Sequence, residues 1–112
     1  MSVDQPEVID VVSKDKKGSI VLTISDHLDW NNTQEHLLAL QEKINTYLTF
    51  LDSGEVYKKY PDAKGRPAEI EIMFHYPPNL QANQFLAKVK PIVENSGYGF
   101  RFEQFSSTPF SI

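Results

Sequence analysis

The chain has 112 residues, 40% of them hydrophobic and 12% aromatic, with no cysteine and a net charge of −4 from 15 acidic and 11 basic side chains. That length suits one domain, able to bury roughly two-thirds of its unfolded surface without metal or disulfide support. Thiol catalysis, disulfides and Cys-ligated zinc are excluded, and the acidic balance argues against a nucleic-acid or membrane-surface protein.

The first ten residues, MSVDQPEVID, lack the basic start and long apolar run of a signal peptide. Absent cysteine fits a reducing cytoplasm. Residues 1–6 read as a loose arm ending in Pro6. EVIDVVS, 7–13, is rich in β-branched residues and predicts a first strand. KDKKG is a polar turn in which Gly18 can take positive φ, and SIVLTIS, 19–25, predicts a second strand and a hairpin. In that strand Ile20, Leu22 and Ile24 share one face, with Val21 and Thr23 on the other. The first strand allows two orientations. Placing Ile9 and Val11 inward is preferred, because the alternative drags Asp10 into the core.

The stretch 26–54 holds the longest helical periodicity and the single Trp. Leu37, Leu40, Ile44, Tyr47, Leu48 and Leu51 fall within an arc of roughly 100°. Gln34, Glu35, Gln41, Glu42, Lys43 and Asn45 lie mostly off that arc. Asn32 and Glu35 have capping-box spacing, and Gly54 suits helix closure. Residues 55–67 form a linker with a helical turn over 56–60, ended by Pro61, Gly65 and Pro67. AEIEIMFHY, 68–76, alternates most clearly, with Ile70, Ile72, Phe74 and Tyr76 on one face and Glu69, Glu71, Met73 and His75 on the other. Pro77 and Pro78 end the strand, and Asn79 can cap a second helix. That helix presents Ala82, Phe85, Leu86, Val89, Ile92 and Val93, with a kink or loosening expected from Pro91. YGFRFEQF, 98–105, is the last strand; Tyr98, Phe100 and Phe102 lie opposite Arg101, Glu103 and Phe105. Residues 106–112 form a short tail.

The order ββαβαβ, with one apolar stripe per helix, predicts an α+β two-layer sandwich: a four-stranded mixed sheet with two helices on one face. The whole chain, 1–112, is then a single domain, and its helical connections favour right-handed crossovers. The opposite face would carry Val8, Asp10, Val12, Val21, Thr23, Glu69, Glu71, Met73, His75, Arg101, Glu103 and Phe105. Such a face is either ordinary solvated sheet or a contact for another protein or a second copy.

Asp26, His27, Leu28 and Trp30, the helix residues 35–48 and the linker 53–66 resemble a family of small stand-alone bacterial domains of unknown function. The resemblance spans residues 8–105. It implies a bacterial source and a complete domain, and it brings no activity.

Four residues before or within the long helix, Asp26, His27, Asp29 and His36, could bind a divalent metal or do acid–base work. No closed ligand spacing accompanies them, and Asp residues there also serve as helix caps. Trp30 is read mainly as a cover over one end of the layers. Phe50 lies off the stripe, either packed under 55–60 or exposed for a partner. Lys58, Lys59, Lys64 and Arg66, interleaved with Tyr57 and Tyr60, could hold a single strand, but Glu55 and Asp62 halve the local charge. No phosphate loop, dinucleotide fingerprint or nucleophile setting is present, so no cofactor is expected. The preferred expectation is a non-enzymatic binding or regulatory module working by protein–protein contact, such as immunity-type neutralisation of a basic partner. Its contact residues would be Glu69, Glu71, Met73, His75, Arg101, Glu103 and Phe105. The alternative is a small metal-dependent or acid–base enzyme around Asp26, His27 and His36.

Overall fold

In the computed structural model, which describes residues 11–14 and 16–104, the two best-patterned stretches form the middle of the sheet. β2 (Ile20–Asp26) and β3 (Ala68–Phe74) run parallel, with Leu22 opposite Ile70 and Ile24 opposite Ile72. β1 (Val11–Lys14) joins β2 antiparallel through the turn at Gly18, whose φ is 87°. β4 (Gly99–Gln104) lies parallel to β3, giving the order β1-β2-β3-β4. Parallel neighbours need long crossovers. Here they are α1 (Thr33–Asp52) with α2 (Glu55–Lys59) and the 3-10 turn Pro61–Ala63, then α3 (Leu80–Asn95). The fold is the α+β arrangement that the sequence implies, with a short α2 where a helical turn was expected.

Both long helices begin on an asparagine. Asn32 accepts from the Glu35 N–H at 3.3 Å, and Asn79 from the Ala82 N–H at 2.9 Å. Each cap satisfies one of the donors that an α-helix leaves open at its start. Gly54 (φ 79°) follows the end of α1 and starts α2. The inward sheet face supplies Ile20, Leu22, Ile24, Ile70, Ile72, Phe74 and Phe100 to a core completed by Leu40, Ile44, Tyr47 and Leu51 of α1 and by Leu86 and Val93 of α3. Each such side chain contributes about 1.5–3 kcal/mol of gross burial.

Three details depart from the sequence reading. The buried stripe of α1 also takes in His36, Lys43 and Phe50, while Leu37 and Leu48 are only partly buried. At 100° per residue this rotates the stripe by about 50°. The physical reason is the neighbours. Asp26 and Val56 close over the 36–50 flank, whereas Leu37 faces a shallow cleft that it shares with Phe85 of α3. Lys43, expected off the stripe, is fully buried with its ammonium 5.6 Å from the Tyr47 ring centroid.

The orientation of β1 is the second correction. Val12 sits opposite Leu22 and therefore shares Leu22's inward face, where it packs half-buried against the core. Hairpin register, not avoidance of a buried Asp10, sets this orientation. Val8, Ile9, Asp10 and the Val11 side chain fall outside the described residues. Third, Ile92 of α3, expected on its buried stripe, is exposed, in a helix that runs through Pro91 to Asn95.

Candidate functional site

The sheet face away from the helices, which we term the open face, is assembled by register. On it Val21 is buried, Thr23, Ser25, Glu69, Glu71 and Met73 are half-buried, and Arg101 and Glu103 are exposed. Thr23, Glu71 and Arg101 form one row across three strands, Val21, Glu69 and Gly99 a second, and Ser25, Met73 and Glu103 a third. No described helix packs on this face, because α1 and α3 both contribute to the core on the other side. Arg101 Nε bonds Glu71 Oε2 at 2.9 Å, and Thr23 Oγ1 donates to Glu71 Oε1 at 3.2 Å. Arg101 Nη2 also lies 3.2 Å from Glu69 Oε1, an ion contact without the alignment of a hydrogen bond. Gly99 leaves room for this. A Cβ there would stand 2.9 Å from Glu69 Cβ and 3.3 Å from Glu69 Oε2. With Arg101 47% exposed, the pairs are worth about 0–1 kcal/mol each. Their effect is to fix the carboxylates in place.

Five of the expected contact residues, Glu69, Glu71, Met73, Arg101 and Glu103, are thus brought together. His75 lies just past the end of β3, exposed, with its backbone N–H bonded to the Asp26 carbonyl at 2.9 Å. Phe105 falls outside the described residues.

The second candidate is the corner where β2 runs into α1. Asp26 continues the inward parity of β2 and is fully buried, and His36, on the first turns of α1, is 2% exposed. His36 Nε2 meets Asp26 Oδ2 at 2.5 Å, and Nδ1 meets the Asp29 carbonyl at 2.9 Å. A carbonyl can only accept, so Nδ1 carries a proton. Asp26 Oδ1 accepts the Leu28 N–H at 3.1 Å. Trp30 stacks on the imidazole with ring centroids 3.7 Å apart and donates its indole N–H to the Tyr76 carbonyl at 3.3 Å. Asn79 reaches across to Thr33 at 3.0 Å, tying the starts of α3 and α1 together.

Of the four residues singled out here, the structure pairs Asp26 with His36 and leaves His27 exposed. The Asp29 carboxylate is turned to Asn31, accepting its backbone and side-chain N–H groups at 3.0 and 2.9 Å. Among the described residues no group of three or more His, Cys, Asp or Glu could hold a metal ion. Both imidazole nitrogens are engaged and the ring is covered by Trp30. The arrangement joins β2 to α1 without leaving an unsatisfied buried group. The sequence signal was two acids and two imidazoles around the helix start; their pairing, one member at a strand end and one at an inward helix position, is set by the fold. A helical stripe counted from apolar residues alone passes over it.

No helix among the described residues is long and apolar enough to cross a membrane. Neither a curated protein nor a solved structure matches the chain. A family model does match, over residues 1–106, and the chain belongs to that family, a family of unknown function designated DUF6572.

Proposed function

We propose that the chain is a binding module that holds a basic protein partner against its open sheet face, in the manner of an immunity-type neutraliser. One observation carries this reading: register places Glu69, Glu71 and Glu103 with Met73 on a face no described helix covers, with Arg101 the one cation in its rows. The face is net negative, as is the chain at −4, and electrostatic complementarity of this kind steers encounter and selects partners. Met73 supplies an adaptable apolar centre. A second copy of this acidic face is disfavoured by like-charge repulsion.

The experiment is a pull-down from the source cell with the wild-type chain and with a Met73→Asp/Glu103→Lys variant. The expected result is a specific basic protein that the variant fails to retain and that dissociates with added salt. Capture that the variant retains, or no specific partner, would sink the proposal. Light scattering after size exclusion separates self-association, since a dimer broken by the same variant assigns the face to a second copy. Convergence of Asp26 and His36 favours acid–base chemistry as a second reading, but with both ring nitrogens engaged the pair serves the fold better than a substrate.

A further inference from the structure

The cations of this acidic chain are gathered at the opposite end of the sheet from Asp26. The β1–β2 turn region carries Lys14, Lys16 and Lys17, all exposed. The stretch after α1 carries Lys58, Lys59, Lys64 and Arg66, also exposed, so these seven are most of the 11 basic residues. In sequence the two groups are separated by the whole of β2 and α1. The fold joins them. Arg66 Nη1 donates to the Gly18 carbonyl at 3.3 Å, and the Ile20 N–H bonds the Pro67 carbonyl at 2.8 Å.

Between the two groups lies a pocket of about 380 Å³. Val12, Ile20, Ala63, Tyr60 and Pro61 give it an apolar and aromatic lining, to which Lys14 and Lys59 add two basic side chains. Asp62 also lines it, so among the described residues its lining carries two basic side chains against one acidic. Ile20 and Ala63 are buried core residues, which makes that part of the lining rigid, whereas Tyr60 is 42% exposed and open to contact. A volume near 400 Å³ lies in the range of small-molecule sites, which combine an apolar lining with a few placed polar groups. It is too confined to track an extended strand, whose sites run along a groove.

We infer that this pocket binds a small organic anion: an apolar or aromatic body seated on Val12, Ile20 and Ala63, with its acid group held by Lys14 and Lys59. The reading is independent of the sheet face. Its occupant differs in size and sign from the basic protein proposed there, and Lys14 and Lys59 are not among the contact residues of that face.

The test uses the full chain with two fluorescent probes that share an aromatic body, 8-anilinonaphthalene-1-sulfonate and the uncharged N-phenyl-1-naphthylamine. The sulfonate should bind saturably and shift the amide resonances of Val12, Ile20, Tyr60 and Ala63. The Lys14→Glu/Lys59→Glu variant, altered only at exposed positions, should keep its urea midpoint and bind the sulfonate roughly tenfold or more weakly, as loss of charge-assisted contacts implies. The uncharged probe should bind both proteins alike. Sulfonate binding that ignores the two charge reversals, or resonance shifts centred elsewhere, would overturn the inference. So would a thymidine decamer that binds at these lysines where the sulfonate does not, since that result assigns the pole to nucleic acid.

Discussion

Asp26 and His36 show how a single pair can decide a local fold. Avoiding a buried aspartate is a sound rule for choosing a strand's inward face, yet β2 places one there at full burial. The rule gives way because His36 and the Leu28 N–H meet both carboxylate oxygens. Breaking a buried pair by removing one member leaves the other uncompensated, at a cost of about 3–5 kcal/mol. Asp26→Ala and His36→Ala should therefore each lower the unfolding free energy by about that amount, measured by urea titration. The double variant should lose much less than the two losses added together, because neither orphan remains. Additive losses would show that the two side chains act separately. The residue types were legible in the sequence, but their pairing was not. It depends on where a strand end and the start of a helix meet in space, and periodicity carries no information about that.

At the scale of elements, the sequence located the four strands and the two long helices but misjudged how the main helix is turned. Counting only aliphatic and tyrosine positions centred the stripe of α1 on the Leu37–Leu48 side, where α3 gives partial cover. Packing against Asp26, β2 and α2 instead draws in His36, Lys43 and Phe50, and the Tyr47 hydroxyl donates to the Thr23 carbonyl at 2.9 Å. A polar or cationic residue on the buried flank hides the true centre from any hydrophobic count. The far end of α1 is tied to the start of β4 by Tyr98, whose hydroxyl donates to Asp52 Oδ1 at 2.6 Å. Partial burial, then the Asp52 carboxylate as hydrogen-bond partner and as charge, raise the Tyr98 phenol from 10.0 to about 12. A group held protonated in the fold supports stability fully below its unfolded value and loses that support as pH climbs to its folded one. Stability should thus decline between pH 10 and about 12 beyond what the other tyrosines and lysines cause. Tyr98→Phe should lower stability by a constant amount below about pH 9, one unit under the ordinary tyrosine value, and remove the extra slope above it. Denaturant midpoints collected against pH would show it, and an identical slope in both proteins would refute it.

Across the whole molecule, charge and topology divide the chain into two ends and two faces. The carboxylates of β3 and β4 and the lysines near the Gly18 turn and after α1 were each readable in their own segments. Their segregation was not, because β-register and the Gly18 turn bring distant segments together. Topology also distributes stability unevenly. β2 and β3 are paired on both sides and fill the core with five fully buried side chains: Leu22, Ile24, Ile70, Ile72 and Phe74. Among the described residues β1 has four residues, one neighbour and, at Val12, a half-buried inward side chain. Local opening of β1 breaks one ladder and exposes little apolar surface, whereas freeing β2 or β3 dismantles the sheet. Native-state hydrogen exchange should therefore report the global unfolding free energy at the hydrogen-bonded amides of β2 and β3. Amides of β1 bonded to β2 should exchange at least about tenfold faster, a gap of roughly 1.4 kcal/mol or more. Because the β2 edge facing β1 is released in that opening while its edge facing β3 is not, the two sets of β2 amides should separate in the same experiment. Uniform protection across β1, β2 and β3 would mean that the hairpin opens only with the whole fold, and that Val12 and its neighbours contribute more to stability than their burial suggests.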